Sequence, residues 1–144
     1  MIRPSKVHGP WARQARTRDI VEQMLRGEPT IELAAPDTVD HLTAAANAAA
    51  LIETLAAQPS ARILNAADPD TPSALQIVQA IAAQLSWSGT VELVPNTSSR
   101  GHHPWRTPMT LDTTSARELG YNPVGNGLAL LADEVEWVQT RRGL

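Results

Sequence analysis

The 144 residues contain no cysteine, which excludes a disulfide framework, a thiolate nucleophile and any cysteine-held zinc site. Phenylalanine is absent as well, and tyrosine and lysine occur once each, as Tyr121 and Lys6. With so few aromatic rings, the core must be built mainly from Ala, Leu, Ile and Val. No apolar run approaches the roughly 20 residues a membrane span needs. The N-terminus carries no signal-peptide-like apolar stretch, so a cytoplasmic protein is the expectation. What is present, 42% hydrophobic and 19% charged residues, suits one soluble globular domain with its own core.

The net charge of −3 conceals an uneven distribution. Residues 1–26 carry six basic groups (Arg3, Lys6, Arg13, Arg16, Arg18 and Arg26) against Asp19 and Glu22. Residues 27–99 carry only Arg62 against eight acids, and residues 100–144 balance five against five. A basic N-terminal loop can receive an anion such as a phosphate, or it can simply be a solvated loop and helix face. Nucleic acid is a poor partner, because the basic cluster is short and has only Trp11 to stack a base.

Strands and helices alternate along the chain, which predicts an α/β arrangement. "IRPSKVH" reads as one short strand closed by Gly9-Pro10. A helix over residues 17–26 has Thr17 as its cap, Ile20, Val21, Met24 and Leu25 as its apolar face, and Gly27 as its stop. "PTIEL" is a brief strand, and the Ala-rich stretch from Pro36 to Pro59 reads as one long helix. "ARILNAA" is a second strand. Thr71-Pro72 then signals a helix start that buries Leu75, Val78, Ile81, Ala82 and Leu85. "TVELV" alternates as a third strand, and "PNTSSRGHHPWRTP" is a loop. Asp112 caps a short helix ended by Gly120, and Asn126 starts a terminal helix with Leu128, Leu131, Val135 and Val138 inward.

Three of these segments resemble the C-terminal half of extended short-chain dehydrogenase/reductases, the NAD-dependent epimerase/dehydratase family. "RPSKVHGP" is similar to that family's RxxxxYGP strand, and "RILNAADPDTPSALQIVQAIAAQL" to its strand–loop–helix containing YNxG. "LDTTSARELGYNP" is similar to its xDxSKxxxELGWxP close. Order and spacing agree over nearly all of residues 2–140. The resemblance implies a partial extended fold: one domain in which residues 1–10 add a strand to a dinucleotide-binding (Rossmann) sheet and residues 11–144 form the substrate-binding subdomain and closing helices. The chain departs from the family where His8 replaces the tyrosine before Gly-Pro. It departs again at Ala46, which stands where an aspartate is usual.

The cofactor machinery of such enzymes is missing from these residues. A pyrophosphate loop needs closely spaced glycines after a strand, and the only close pair among the eight glycines, Gly125 and Gly127, reads as a turn. The family's catalytic Tyr and Lys stand four residues apart, whereas Tyr121 is followed at that distance by Gly125. No catalytic residue is therefore assigned.

By resemblance, Pro4, Lys6 and Val7 lie beside the cofactor, NAD or NADP in the complete enzyme, and no cofactor is expected on this chain alone. Lys6, His8, Arg13 and Arg106 are the candidates for contact with a small, phosphate-bearing substrate, and Lys6 and Arg13 can equally be ordinary surface charge. Asn65 reads as structural. No metal site is expected: His102 and His103 point apart on an extended chain and no third ligand stands at a suitable spacing. The leading expectation is the substrate-binding half of an oxidoreductase, inactive alone, from a truncated product, a misplaced start or an enzyme whose Rossmann half is a separate chain. The alternative is a stand-alone interaction module that oligomerises through an exposed strand and apolar helix faces.

Overall fold

The computed structural model describes residues 1–13, 16–39, 41–95 and 110–143. The chain runs β1 (Ile2–Pro4), β2 (Lys6–His8), α1 (Arg16–Leu25), β3 (Thr30–Leu33), β4 (Leu42–Ala44), α2 (Ala45–Ala57), β5 (Leu64–Ala66), α3 (Ala74–Gln84), β6 (Thr90–Leu93), α4 (Thr114–Glu118) and α5 (Gly127–Arg142). Among the described residues the strands form three parallel pairs, β1 with β5, β2 with β4 and β3 with β6. Parallel pairing requires long crossovers, and the helices supply them.

The opening segment is two strands rather than one. Ile2 pairs with Leu64 and Lys6 with Leu42, so the extended chain passes from one partner to the next at Ser5. The Ser5 N–H bridges that step, donating to the Ala66 carbonyl at 3.1 Å and to Thr43 Oγ1 at 3.0 Å.

Three expected helix starts lie elsewhere. Thr17 sits inside α1, where its hydroxyl is drawn to a buried carboxylate instead of capping the backbone. The long Ala-rich helix begins only at Ala45, because Leu42, Thr43 and Ala44 are all buried and pair with β2 as β4. The cap of α3 is Ser73, not Thr71. Its hydroxyl accepts from the Gln76 N–H while the Gln76 side chain accepts from the Ser73 N–H, a reciprocal capping box.

Two apolar clusters result. The larger joins Ile20, Val21 and Met24 of α1, Ile77, Val78 and Ile81 of α3, and Leu131, Val135 and Val138 of α5. The smaller packs Leu51 of α2 against Leu64 and Ala66 of β5, Ala116 of α4 and Tyr121. Helix α2 is weakly anchored, burying only Asn47 and Leu51 while Ile52 is exposed. Leu51→Ala should therefore cost about 2–5 kcal/mol, with amide exchange in α2 accelerating before that in α3. Ile52→Ala should change the urea midpoint by no more than the equivalent of about 0.5 kcal/mol.

Candidate functional site

The expected site residues other than Arg106 lie along one extended segment and the turn that follows it. Pro4 is exposed, Lys6 and Val7 are half-buried on β1–β2, and Arg13 is exposed beyond the Gly9–Ala12 turn. His8 is buried at 1% exposure, so its imidazole faces the interior. Arg106, with Arg100, His102, His103 and Trp105, lies outside the described residues.

The chemistry collected around His8 is a buried polar centre that the sequence reading did not assemble. After β5 the chain turns through Asp68-Pro69-Asp70, and each aspartate reaches the start of a different helix. Asp68 Oδ1 accepts from the Ala44 N–H and from Asn47 Nδ2, both at 2.7 Å, which supplies α2 with the acceptor that its cap, Ala44, lacks. Asp68 Oδ2 faces His8 Nε2 at 3.1 Å. Asp70 accepts from the Gly127 and Leu128 N–H groups at 2.6 and 3.1 Å, placing a carboxylate at the positive end of α5.

Asn47 completes the centre. Its amide donates to Asp68 Oδ1 and to the Gly125 carbonyl, and its Oδ1 accepts from the Val124 and Gly125 N–H groups. All its hydrogen-bonding capacity is used at 0% exposure. His41 is fixed likewise: the Leu111 N–H donates to Nδ1 at 2.9 Å, so Nε2 carries the proton and donates to the Asp68 carbonyl at 2.7 Å. On the far side of His8, Glu134 of α5 stands 3.8 Å from Nδ1. Its Oε2 accepts from the Thr17 hydroxyl at 2.7 Å and from the Gly9 N–H at 3.3 Å.

The two carboxylates are driven in opposite directions. Burial pushes Asp68 up, but the hydrogen bonds from His8, the Ala44 N–H and Asn47, with the charge of His8, outweigh it and hold the group below its ordinary 3.8. Burial pushes Glu134 above its ordinary 4.5, and Thr17, His8, the Gly9 N–H and Arg18 oppose it without prevailing. Tyr121 is also raised, by burial and then by the Asp68 charge, and its hydroxyl has no hydrogen-bond partner among the described residues. A proton-transferring phenol needs the opposite shift.

Asn65 holds strands together, accepting from Arg3 at 3.0 Å and donating to the Asp112 carbonyl at 2.8 Å. The glycine pair is a structural joint. The Gly125 N–H is bound by Asn47 and the Gly127 N–H by Asp70, so neither amide is open to a pyrophosphate. Among the described residues no group of three His, Asp or Glu side chains could hold a metal ion.

No protein-family model matches the chain, and no curated protein matches it. Solved structures share its fold. UDP-glucose 4-epimerase of Thermotoga maritima, solved with UDP-glucose, is similar with a TM-score of 0.76 at 18% identity, over 98% of this chain and 46% of that one. UDP-glucuronic acid 4-epimerase of Bacillus cereus, solved with UDP-glucuronic acid and NAD, gives 0.78 at 19%, over 97% and 45%. The dTDP-glucose 4,6-dehydratase of Bacillus anthracis, solved with NAD, gives 0.79 at 16%, over 99% and 44%. The fold is therefore the partial extended α/β fold of NAD-dependent epimerases and dehydratases, as the motifs imply. The chain spans a little under half the length of these structures.

Two outcomes test the polar centre. A Cβ added at Gly127 would overlap Asp68 Oδ2, with Asp68 Cγ only 3.1 Å away. Gly127→Ala should cost about 1–3 kcal/mol in urea unfolding, the range for overpacking a filled site. For Glu134, a raised folded-state pKa means the folded chain holds the proton more tightly than the unfolded chain. Stability must then fall as pH rises from 4.5 through the folded value. Asp68, lowered, works the other way: its contribution is present above 3.8 and lost as pH falls through its folded value. Glu134→Gln keeps an acceptor for Thr17 and Gly9 and removes the charge. It should flatten the decline above 4.5 and leave neutral-pH stability equal or higher; an unchanged slope would place the linkage elsewhere.

Proposed function

We propose that the chain is the substrate-binding half of an NAD(P)-dependent epimerase-, dehydratase- or reductase-like oxidoreductase and has no turnover by itself. The observation that carries this reading is the match of almost the whole chain to under half of each NAD-dependent epimerase or dehydratase structure. Two features of the described residues weigh against a cofactor site on this chain alone. The one close glycine pair has its amides engaged, and Tyr121, the sole tyrosine, is buried at 4% exposure with no lysine four residues on.

In this reading the β1–β2 segment meets a cofactor-binding half along its outer edge. Pro4, Lys6 and Val7 approach the cofactor there, and Lys6, Arg13 and Arg106 meet the charges of a nucleotide-sugar-like substrate. His8 belongs to the same substrate-facing strand end and acts from the interior, where its bonds to the polar centre fix the strand's position. The cofactor supplies the hydride chemistry when bound; this chain binds and orients.

The second reading is an interaction module. Each strand of β1–β2 has a single partner among the described residues, and Met1, Ile52 and Ile63 are exposed. A strand edge beside apolar surface is a template for pairing, with a separate Rossmann half or with a second copy.

Amide NMR titration separates the readings. UDP-glucose should shift Lys6, Val7 and Arg13 saturably. NAD alone should not bind, and UDP-glucose with NAD should be returned unchanged. Turnover by the isolated chain would overturn the half-enzyme reading. A concentration-dependent dimer with no response to UDP-glucose would favour the interaction module.

A further inference from the structure

The basic N-terminal stretch and the tryptophans find a use that the proposed function does not absorb. The Ala12 N–H donates to the Gly9 carbonyl at 3.2 Å, closing a four-residue turn with Pro10 second and Trp11 third. Trp11 has φ +67°, the value that the third position of a type II turn demands and that glycine normally supplies. A bulky L-residue is strained there. Among the described residues the most exposed large apolar side chain, 73% accessible, nevertheless stands at that position.

The strained turn brings Trp11 against the end of α5. Its ring centroid is 5.5 Å from that of Trp137, the planes tilted by 59°. The Arg141 guanidinium lies 4.9 Å from both indole centroids, and that of Arg18 lies 4.8 Å over Trp137. Neither arginine is in ion-pair contact with a carboxylate among the described residues, although the Arg18 charge reaches Glu134. Arg18 donates one N–H to the Ala12 carbonyl, and its buried Nε has no partner. A guanidinium stacked face-on to an indole keeps its N–H edge available for bidentate bonding to an oxyanion. Beside the cluster, Arg18, Glu22, Trp137, Val138 and Arg141 line a depression of about 280 Å³, near the lower end of the roughly 300–1,000 Å³ typical of small-molecule sites.

We infer that the Trp11–Trp137–Arg18–Arg141 cluster is a binding site for a small ligand that joins a planar ring to a phosphate. Two guanidiniums match a dianion, and the exposed Trp11 supplies a stacking surface. The strain at Trp11 is the independent sign, since unfavoured backbone persists where a side chain is held for a purpose.

The test follows the indole N–H signals of Trp11 and Trp137 in the full chain. The probes are phenyl phosphate, inorganic phosphate and phenol. Phenyl phosphate should bind saturably, at least about tenfold more tightly than either fragment, with affinity falling as salt is raised. Arg141→Gln should weaken it by about tenfold or more, as expected for loss of a charge-assisted contact. Trp11→Gly is the decisive variant, because glycine suits the turn: unfolding stability should stay equal or rise while phenyl phosphate binding falls about tenfold. Absence of saturable binding, equal binding of phenol and phenyl phosphate, or retained affinity in stable Trp11→Gly would each overturn the proposal.

Discussion

One carboxylate organises this fold. Asp68, 2% exposed, binds β2 through His8, the start of α2 through Ala44 and Asn47, and, through its own carbonyl, His41 just before β4. A carboxylate this deep is expensive to desolvate, and it remains because several donors converge on it at once. Its neighbour Asp70 takes the N-terminus of α5, so a three-residue loop sets two helices and two strands in register. Buried charge networks of this kind contribute less to net stability than to uniqueness, since any alternative packing leaves donors stranded. In this chain the distinction matters, because the second apolar cluster is small and α2 has little else to hold it.

Glu134 sets the opposing constraint. It lies on the same face of α5 as Leu131, Val135 and Val138, and its 0% exposure puts an acid into the largest apolar cluster. Thr17 and Gly9 satisfy one oxygen, while Oε1 has no partner. The raised proton affinity follows directly, because burial penalises the charged form by more than Thr17, His8, the Gly9 N–H and Arg18 compensate. His8 thus stands between a carboxylate biased toward charge and one biased away from it, which ties β2 to the β5–α3 loop on one side and to α5 on the other.

The sequence made the alternation of strands and helices legible, together with the glycine stops at Gly27 and Gly120 and the Asn126 start of α5. The glycine stops depend on a local rule of positive φ, whereas Asn126 marks the start of α5 without capping it: its side chain makes no cap hydrogen bond, and Asp70 accepts from the first N–H groups. What stayed hidden depends on contacts distant along the chain. Leu42-Thr43-Ala44 reads as helix because its composition is helical, yet a strand buried on both faces needs no alternation and pairs where its neighbour requires. Thr17 reads as a cap until a glutamate 117 residues away accepts its hydroxyl proton. One signal of the polar centre was present: an acid at position 134 on the apolar stripe of a helix must find donors if it is buried. Which donors, and that His8 and Asp68 were among the neighbouring groups, no local pattern could state.

The segment Lys6–His8 faces both ways, and that links the interior to the strand edge. Its inner edge pairs with β4, and His8 is bound to the polar centre; its outer edge has no strand partner among the described residues. Backbone hydrogen bonds position an edge only as firmly as the strand behind it is held. A three-residue strand makes few of them. The side-chain bonds of His8, Asp68 and Glu134 therefore supply much of the stiffness of this edge. A buried charge cluster of this kind is then understandable as the support that holds a short strand edge in a fixed position.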